Sequence, residues 1–202
     1  MQLLRQLTCV MKRQLALKNK KEVLFMGEFK RLERDLVHKG KIIDVYQDKM
    51  LTPSGDTVMY DIVEHKGAAS MVAVDGNGKI LMVRQYRTAI QKESLELPAG
   101  GINPGEDTKT CAMRELEEET GYRPEYAEHL LDVFTSVGFC NEKIYIYYTD
   151  SLIPSKQNLD ADEYVNVERY TLEELVELIK QGKIEDSKSV AGILTYKSKM
   201  GL

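Results

Sequence analysis

The sequence predicts an α+β protein in which mixed β-sheets are flanked by helices. Two observations indicate this class: strand-like apolar alternation recurs along the chain, and helical stretches with clear start and stop signals interrupt it. The length of 202 residues suits one full domain and a small appendage. A hydrophobic content of 43% and a charged content of 30% are ordinary for a globular protein. No apolar run approaches the roughly 20 residues needed to cross a bilayer, so we expect no membrane partner.

The first 25 residues differ in charge from the rest of the chain. They carry six basic side chains against Glu22 alone, while the whole chain has a net charge of −4, so the remainder is acidic. An acidic body is a poor partner for long nucleic acid, which requires a basic surface. It suits a small anionic substrate where divalent metal ions neutralise the site.

Residues 1–25 are expected to be an extension that precedes the natural start of translation. Lys21-Glu22-Val23 can be encoded by AAGGAGGT, which resembles a bacterial ribosome-binding site, and Met26 follows at a suitable distance. The alternative is an amphipathic helix that docks on a surface, because apolar residues recur at helical intervals. A secretory signal is excluded, since basic residues interrupt the apolar run. The intact mass of the protein made from its own locus distinguishes the first two interpretations.

A β-hairpin is predicted next, from two alternating runs, KIIDVYQDKML (41–51) and TVMYDIVEH (57–65), with Pro53 and Gly55 between them. A lone hairpin is marginal in water, so this piece must pack on something else. We expect residues 26–66 to form a small β-domain and residues 67–202 the main domain. Further strands are predicted in 68–74, 80–87, 93–100, 126–137 and 143–150.

Three helices are predicted. The first runs from about Asp107 to Thr120, and Gly121 stands where a left-handed residue ends a helix. The second lies in TLEELVELIKQGK, where Thr171 and Glu174 have the spacing of a capping box and Gly182 stops the helix. The third follows Ser187.

The first helix carries an unusual row of carboxylates. Glu115, Glu118 and Glu119 fall at i, i+3 and i+4, so their side chains line one helix face. Glu106 in the preceding glycine loop can join them, and Arg114 can orient a carboxylate through two parallel bonds. Hard oxygen ligands of this kind suit Mg²⁺ or Mn²⁺. Taken without the glycine loop, the row would be interpreted as a solvated acidic helix face.

The spacing of these residues is that of a known motif. Gly100, five residues, Glu106, seven residues and then RELEEETGY (114–122) match the Nudix box at every fixed position. The chain resembles the ADP-ribose pyrophosphatase branch of the Nudix hydrolases, and the likeness extends from about residue 40 to 198 through ELPAGGINPGE, GFCNEKIYIYY, LDADEYV and EDSKSVAGIL. This implies a Nudix α/β/α sandwich, preceded by a small β-domain that is exchanged across a homodimer.

The resemblance also implies a catalytic apparatus. Glu115, Glu119 and the backbone carbonyl of Ala99 would bind Mg²⁺, with Glu118 as a further candidate. Such ions would clamp a diphosphate and lower the pKa of a bound water. In relatives a glutamate on a loop downstream of the box removes the proton from that water. Glu163 occupies the matching position and Glu142 is the second candidate, although each can also be an ordinary loop or strand-end acid.

Substrate contacts are implied on either side of the box. Arg87, and after it Arg84, would meet a phosphate through the planar guanidinium, with Glu96 among the residues of this site. The alternative for both arginines is a strand-surface salt bridge to Glu96 or Glu93. The adenine would stack on Tyr46 or Tyr60, which otherwise are plain sheet residues, and Phe139 follows in the next loop.

One departure from the family pattern concerns the substrate. Relatives specific for ADP-ribose carry Ser-Pro-Gly-Phe where this chain has Ser136-Val137-Gly138-Phe139. We therefore expect an Mg²⁺-dependent hydrolase of ADP-ribose, with a GDP-sugar or a dinucleotide as the alternative substrate. A non-catalytic nucleotide sensor is disfavoured, because such sensors usually lose acids of the box. The three cysteines have neither disulfide nor metal-site spacing, which suits a reducing cytoplasm.

Overall fold

The computed structural model describes residues 28–161 and 163–201. The interpretations of residues 1–25 and of Met26 as the start lie outside this range. Within it, the three helices are α1 (Thr108–Thr120), α2 (Leu172–Lys180) and α3 (Ser187–Met200). The first six strands are β1 (Lys30–Lys39), β2 (Ile43–Leu51), β3 (Thr57–His65), β4 (Ala68–Ala73), β5 (Ile80–Arg87) and β6 (Lys92–Glu96). The other six are β7 (Ala99–Gly101), β8 (Tyr122–Pro124), β9 (Glu128–Phe134), β10 (Lys143–Thr149), β11 (Leu152–Pro154) and β12 (Val165–Tyr170).

The chain divides into two units. Among the described residues, the smaller unit contains 28–35 together with Gln47–Asp61, and the larger contains Leu36–Tyr46 together with those from Ile62 to Gly201. Strands β1, β2 and β3 form a three-stranded sheet in that order. The hairpin of β2 and β3 is confirmed, and its turn is closed by a bond from the Gly55 amide to the Thr52 carbonyl. Strand β1 was not predicted, because it is exposed along its whole length and shows no alternation of burial.

The core of the larger unit is a four-stranded sheet with the order β7-β4-β10-β9. Strand β10 runs parallel to β4, while β7 and β9 are antiparallel to their neighbours. Side chains of β4 alternate between two cores, so Met71 packs with α1 residues on one face and Val72 packs with α3 residues on the other. A helix thus covers each face of the sheet. The predicted α/β/α arrangement is confirmed.

Two smaller sheets complete this unit. One has the order β12-β5-β6, and the other pairs β11 with β8. The sequence did not indicate β8, β11 or β12. The first two contain only three residues each, which is too short for periodicity to be detected. Strand β12 alternates only weakly, since none of its side chains is fully buried.

The helix ends follow the predicted signals. Asp107 caps α1 by accepting the amides of Lys109 and Thr110, and Gly121 ends the helix with a φ of 72°. The capping box between Thr171 and Glu174 is present at the start of α2. None of the helices in residues 28–161 and 163–201 combines the length and apolarity that a bilayer crossing requires.

Candidate active site

The carboxylates of α1 face the glycine-rich strand β7. Glu115 and Glu119 are buried, while Glu118 at the same helix face is half-buried. The approach is close at Gly100: a Cβ atom there would lie 2.2–2.3 Å from the Glu115 carboxyl group. Only glycine can occupy this position without moving Glu115, which gives a physical reason for the glycine that opens the motif.

Arg114 organises three of the carboxylates. Its guanidinium forms two bonds with Glu106, Nε–Oε1 at 2.8 Å and Nη2–Oε2 at 3.0 Å. Nη1 donates to Glu115 at 2.6 Å and to Glu118 at 2.8 Å. The bonds from Arg114 lower the pKa of Glu106 to about 2. The expected orienting role of Arg114 is thus present in the geometry, with Glu106 as its two-bond partner.

Glu119 lies in a different environment from these three. It is 3% exposed, and its Oε2 accepts the amide of Ala99 at 3.0 Å. No lysine or arginine of the described residues forms an ion pair with it. Burial is the largest influence and raises the pKa of Glu119 to about 8. A buried carboxylate with one amide partner is costly unless a cation compensates it.

The oxygen donors of this face fit a hard divalent cation. Glu115 lies against Gly100 and Glu119 against Ala99 at the start of β7, and Glu118 shares Nη1 of Arg114 with Glu115. Mg²⁺ and Mn²⁺ prefer such oxygen ligands. As they stand, no three acidic, histidine or cysteine side chains among the described residues have metal-binding geometry. Glu115 and Glu118 instead both accept from Nη1 of Arg114.

Glu163 lies on the opposite wall of the same site. A cavity of about 440 Å³ is bounded by Glu115 and Glu118 on one side and by Asn158, Asp160 and Glu163 on the other. The Glu163 carboxylate accepts the amide of Asp160 at 3.0 Å, which fixes it within a tight turn. The structure therefore brings the first candidate base together with the carboxylate row.

Glu142 lies elsewhere. Its carboxylate is 3.3 Å from Nδ1 of His65, and it lines a second cavity of about 530 Å³. Arg87, Glu96 and Lys188 line that second cavity as well. The two candidate bases are thus separated into different cavities.

The two candidate phosphate-binding arginines are both paired with carboxylates. Arg87 binds Glu96 through Nε at 2.8 Å and Nη2 at 2.7 Å, as the salt-bridge alternative predicted. Arg84 binds Glu168 at 2.5 and 3.1 Å, so the alternative given for it, a salt bridge to Glu96 or Glu93, is wrong in its partner. The reason is that β12 lies beside β5 and carries Glu168 onto the surface where Arg84 projects.

Lys188 was missed by the sequence analysis. Its Nζ is 2.5 Å from Glu96 and 3.0 Å from Asp186, and its side chain is almost fully buried. A signal for it existed: Lys188, Gly192 and Tyr196 recur every four residues along the buried face of α3. Lysine at a core position of a helix requires a buried anion.

The candidate adenine contacts are spread over several elements. Tyr46 is half-buried on β2, and Tyr60 is exposed on β3. Phe139 is exposed and lines an apolar cavity of about 330 Å³, together with Phe134 and Val137.

Comparison with known proteins agrees with the motif. The family model described as NUDIX domain matches residues 64–192. A methanol dehydrogenase activator of Bacillus methanolicus is 39% identical over 169 residues, which cover 82% of this chain and 91% of the relative. An ADP-ribose pyrophosphatase of Bacillus subtilis (strain 168) is 35% identical over 168 residues, with the same coverage.

A solved structure shows the same fold. The crystal structure of an ADP compounds hydrolase superposes with a TM-score of 0.78, at 19% identity, over 87% of this chain and 96% of that one. The motif with its buried carboxylates, the family model and the relatives lead to one assignment. This chain belongs to the Nudix family, as a pyrophosphohydrolase.

Proposed function

We propose that this protein hydrolyses the pyrophosphate bond of ADP-ribose, giving AMP and ribose 5-phosphate, with Mg²⁺ as the cofactor and Mn²⁺ as a substitute. The observation that carries the proposal is that Glu115 and Glu118 of α1 line the same cavity of about 440 Å³ as Glu163. A relative that is 35% identical over most of both chains is named an ADP-ribose pyrophosphatase.

The metal ligands in this proposal are Glu115, Glu119 and the carbonyl of Ala99, with Glu118 as a further ligand. Bound Mg²⁺ would supply charge neutralisation of the diphosphate and acidification of a water molecule. Arg114 keeps the carboxylates oriented through its bonds to Glu106, Glu115 and Glu118. A fixed arrangement of this kind lowers the entropy lost when the reacting groups meet.

Glu163 acts as the general base in this proposal and takes the proton from the attacking water. Its carboxylate has one oxygen bonded to the Asp160 amide, which leaves acceptor capacity on the cavity side. Arg87 is the phosphate contact. Its side chain is 43% exposed, and Glu96 would keep Lys188 as its partner when Arg87 turns to a substrate.

The second candidate function is hydrolysis of another nucleoside diphosphate derivative, such as a GDP-sugar or a dinucleotide. Val137 favours it, because valine replaces the proline found in ADP-ribose-specific relatives. The valine side chain is 84% exposed beside Phe139 and frees the backbone φ of this loop. A relative at 39% identity is named for a different role, the activation of methanol dehydrogenase.

A substrate panel tests the proposal. The purified chain with Mg²⁺ is assayed by phosphate release in the presence of a phosphatase, which acts on AMP and ribose 5-phosphate but not on intact ADP-ribose. We expect turnover of ADP-ribose well above that of NADH and GDP-mannose. 8-oxo-dGTP, whose terminal phosphate the phosphatase removes by itself, is followed by chromatography and should also be a poor substrate. With EDTA and no phosphatase, chromatography should show no formation of AMP. Preference for another compound would establish the second candidate, and metal-independent turnover would contradict the mechanism.

We further propose that the protein is a cytoplasmic homodimer, in which residues 26–66 form the dimerising β-domain. Apolar side chains on the three-stranded sheet are exposed, among them Leu32, Met59 and Tyr60, and such surfaces are typical of protein interfaces. Cys111 and Cys140 are both free thiols, as expected in a reducing compartment. Sedimentation analysis of the purified chain tests the dimer, and a monomer at micromolar concentration would contradict it.

A further inference from the structure

We propose that Gln157 is a positioning residue that holds Glu163 in place beside the carboxylate face of α1. The inference rests on the proposed function, in which Glu163 is the base. Its starting observation is that Nε2 of Gln157 donates to two backbone carbonyls from different elements. One is that of Glu119 at 2.7 Å, and the other is that of Val165 at 3.5 Å.

The last turn of α1 explains why this contact forms. The final carbonyls of a helix have no partner within the helix. Gly121 donates its amide to the Glu117 carbonyl at 2.8 Å, and the amide of Asn158 donates to the Glu118 carbonyl, also at 2.8 Å. Gln157 satisfies the Glu119 carbonyl. Two of the three caps therefore come from a segment 38 residues or more further along the chain.

The backbone holds this segment against the helix end. Pro154 pairs with Tyr122, and the Ser155 amide donates to the Gly121 carbonyl at 2.7 Å. A Cβ atom on Gly121 would lie 3.1 Å from the backbone nitrogen of Gln157, which shows how closely the two segments of the chain approach each other. Gln157 is thus placed at the helix end by main-chain contacts that do not depend on its own side chain.

From this point the chain enters the site. Asn158, Asp160 and Glu163 line the cavity of about 440 Å³, and the chain then joins β12 at Val165. The two N–H groups of one amide therefore connect the end of the metal-ligand helix with the far end of the segment that carries Glu163. Within that segment, the Glu163 amide donates to the Asp160 carbonyl at 3.0 Å. Loss of the Gln157 donors would loosen Glu163 without removing a side chain that contacts metal or substrate.

Gln157→Met tests the proposal, because methionine has similar length and no donor. We expect kcat for ADP-ribose to fall about tenfold while KM stays within about threefold, as for a displaced catalytic group. Gln157→Glu has the same shape but sets acceptors against two carbonyls, so its loss should be larger. The matched control is Gln181→Met, which removes an exposed glutamine whose Nε2 donates to Glu177 at 3.0 Å on α2. This control should keep the kcat of the unaltered chain.

A double variant separates positioning from a general structural effect. If Gln157 acts through Glu163, adding Gln157→Met to Glu163→Gln should lower kcat by less than about twofold, because coupled residues are not additive. A further tenfold loss would overturn the proposal, since it would mean that Gln157 acts on the metal-ligand helix itself.

Hydrogen exchange gives a measurement that needs no turnover. The amides of Asn158 and Glu163 should exchange about tenfold faster in Gln157→Met, while those in α1 keep their rates. Unchanged exchange would overturn the proposal, and so would faster exchange with an unchanged kcat. If the unaltered chain fails to hydrolyse the substrate panel, the proposed function is wrong, and the exchange rates alone decide whether Gln157 anchors this segment.

Discussion

Two buried carboxylates, Glu96 and Glu119, are each 3% exposed, yet their surroundings have opposite effects. Burial alone would raise the pKa of Glu96, but bonds and charges from Arg87 and Lys188 outweigh it and lower that pKa to about 2. At Glu119 burial dominates, the bond from the Ala99 amide and the charge of Lys188 oppose it only weakly, and the pKa rises to about 8. Glu96 thus has two cationic partners in direct contact, whereas Glu119 forms no ion pair with any of the residues that the structure describes. Such a difference is expected where one carboxylate has a structural role and the other binds a metal ion.

The largest expected effect comes from replacing Glu119, the buried carboxylate without a direct ion pair. Glu119→Gln keeps an acceptor for the Ala99 amide but loses a metal ligand, so kcat should fall at least about a hundredfold. Steady-state kinetics with Mg²⁺ measure this. The neighbouring helix residue provides the control, because Glu117→Gln should retain turnover. Equal activity of both variants would show that the metals bind elsewhere.

The next effect concerns the opposite wall of the cavity. Glu163→Gln should lower kcat about a hundredfold, as expected for loss of a general base. Its affinity for Mg²⁺, measured by calorimetry, should not change, because the residue is not a ligand in this mechanism. Glu142→Gln should have a much smaller effect, since Glu142 lies in the other cavity. The reverse order of these two effects would make Glu142 the base.

The compensated carboxylate gives a prediction about stability. Lys188→Met leaves Glu96 buried with Arg87 as its remaining cation, and we expect a loss of about 3 kcal/mol in the free energy of unfolding. Denaturant titration at pH 7 measures it. Lys180→Met is the control, because Lys180 is exposed and its removal should change stability by less than about 0.5 kcal/mol. A loss of less than about 1 kcal/mol for Lys188→Met would show that the buried pair contributes little.

The smallest expected effect is a pH dependence. A carboxylate with a lowered folded-state pKa contributes stability above its unfolded pKa, here about 4.5, and loses it as the pH falls towards about 2. The unaltered chain should therefore lose about 2 kcal/mol more than Glu96→Gln between pH 7 and pH 3. Denaturant titrations of both proteins at the two pH values test this. Parallel pH profiles would show that Glu96 is not held ionised by its partners.

Local signals made α1 predictable. The N-cap at Asp107, the left-handed Gly121 and the i, i+3, i+4 spacing of the glutamates all act within one or two helix turns. The bonds between Arg114 and its carboxylates follow from the same spacing, as does the position of Gly100. The half of the site that α1 and the glycine loop form could therefore be predicted from the sequence, together with the direction in which the glutamates face.

The other half depends on contacts between distant parts of the chain. Arg84 meets Glu168 across 84 positions, and Glu96 meets Lys188 across 92 positions. Such partners are fixed by strand order and by the packing of α3, which no short pattern encodes. Gln157 is an extreme case, because it lies on an exposed loop whose contacts are mostly with backbone carbonyls. Nothing in the sequence around Gln157 indicated that it belongs to the site.

Gly121 lies where the end of α1 meets the segment at Gln157, and this contact limits which residues can replace it. A left-handed residue at a helix end is usually replaceable by asparagine, which also tolerates a positive φ. At Gly121 a Cβ atom would lie 3.1 Å from the backbone nitrogen of Gln157, so a side chain there requires this segment to move by a few tenths of an ångström. Replacement of Gly121 would therefore press on the segment that leads to Glu163 as well as on the helix end, so we expect this position to tolerate fewer residues than a helix end with open space beside it.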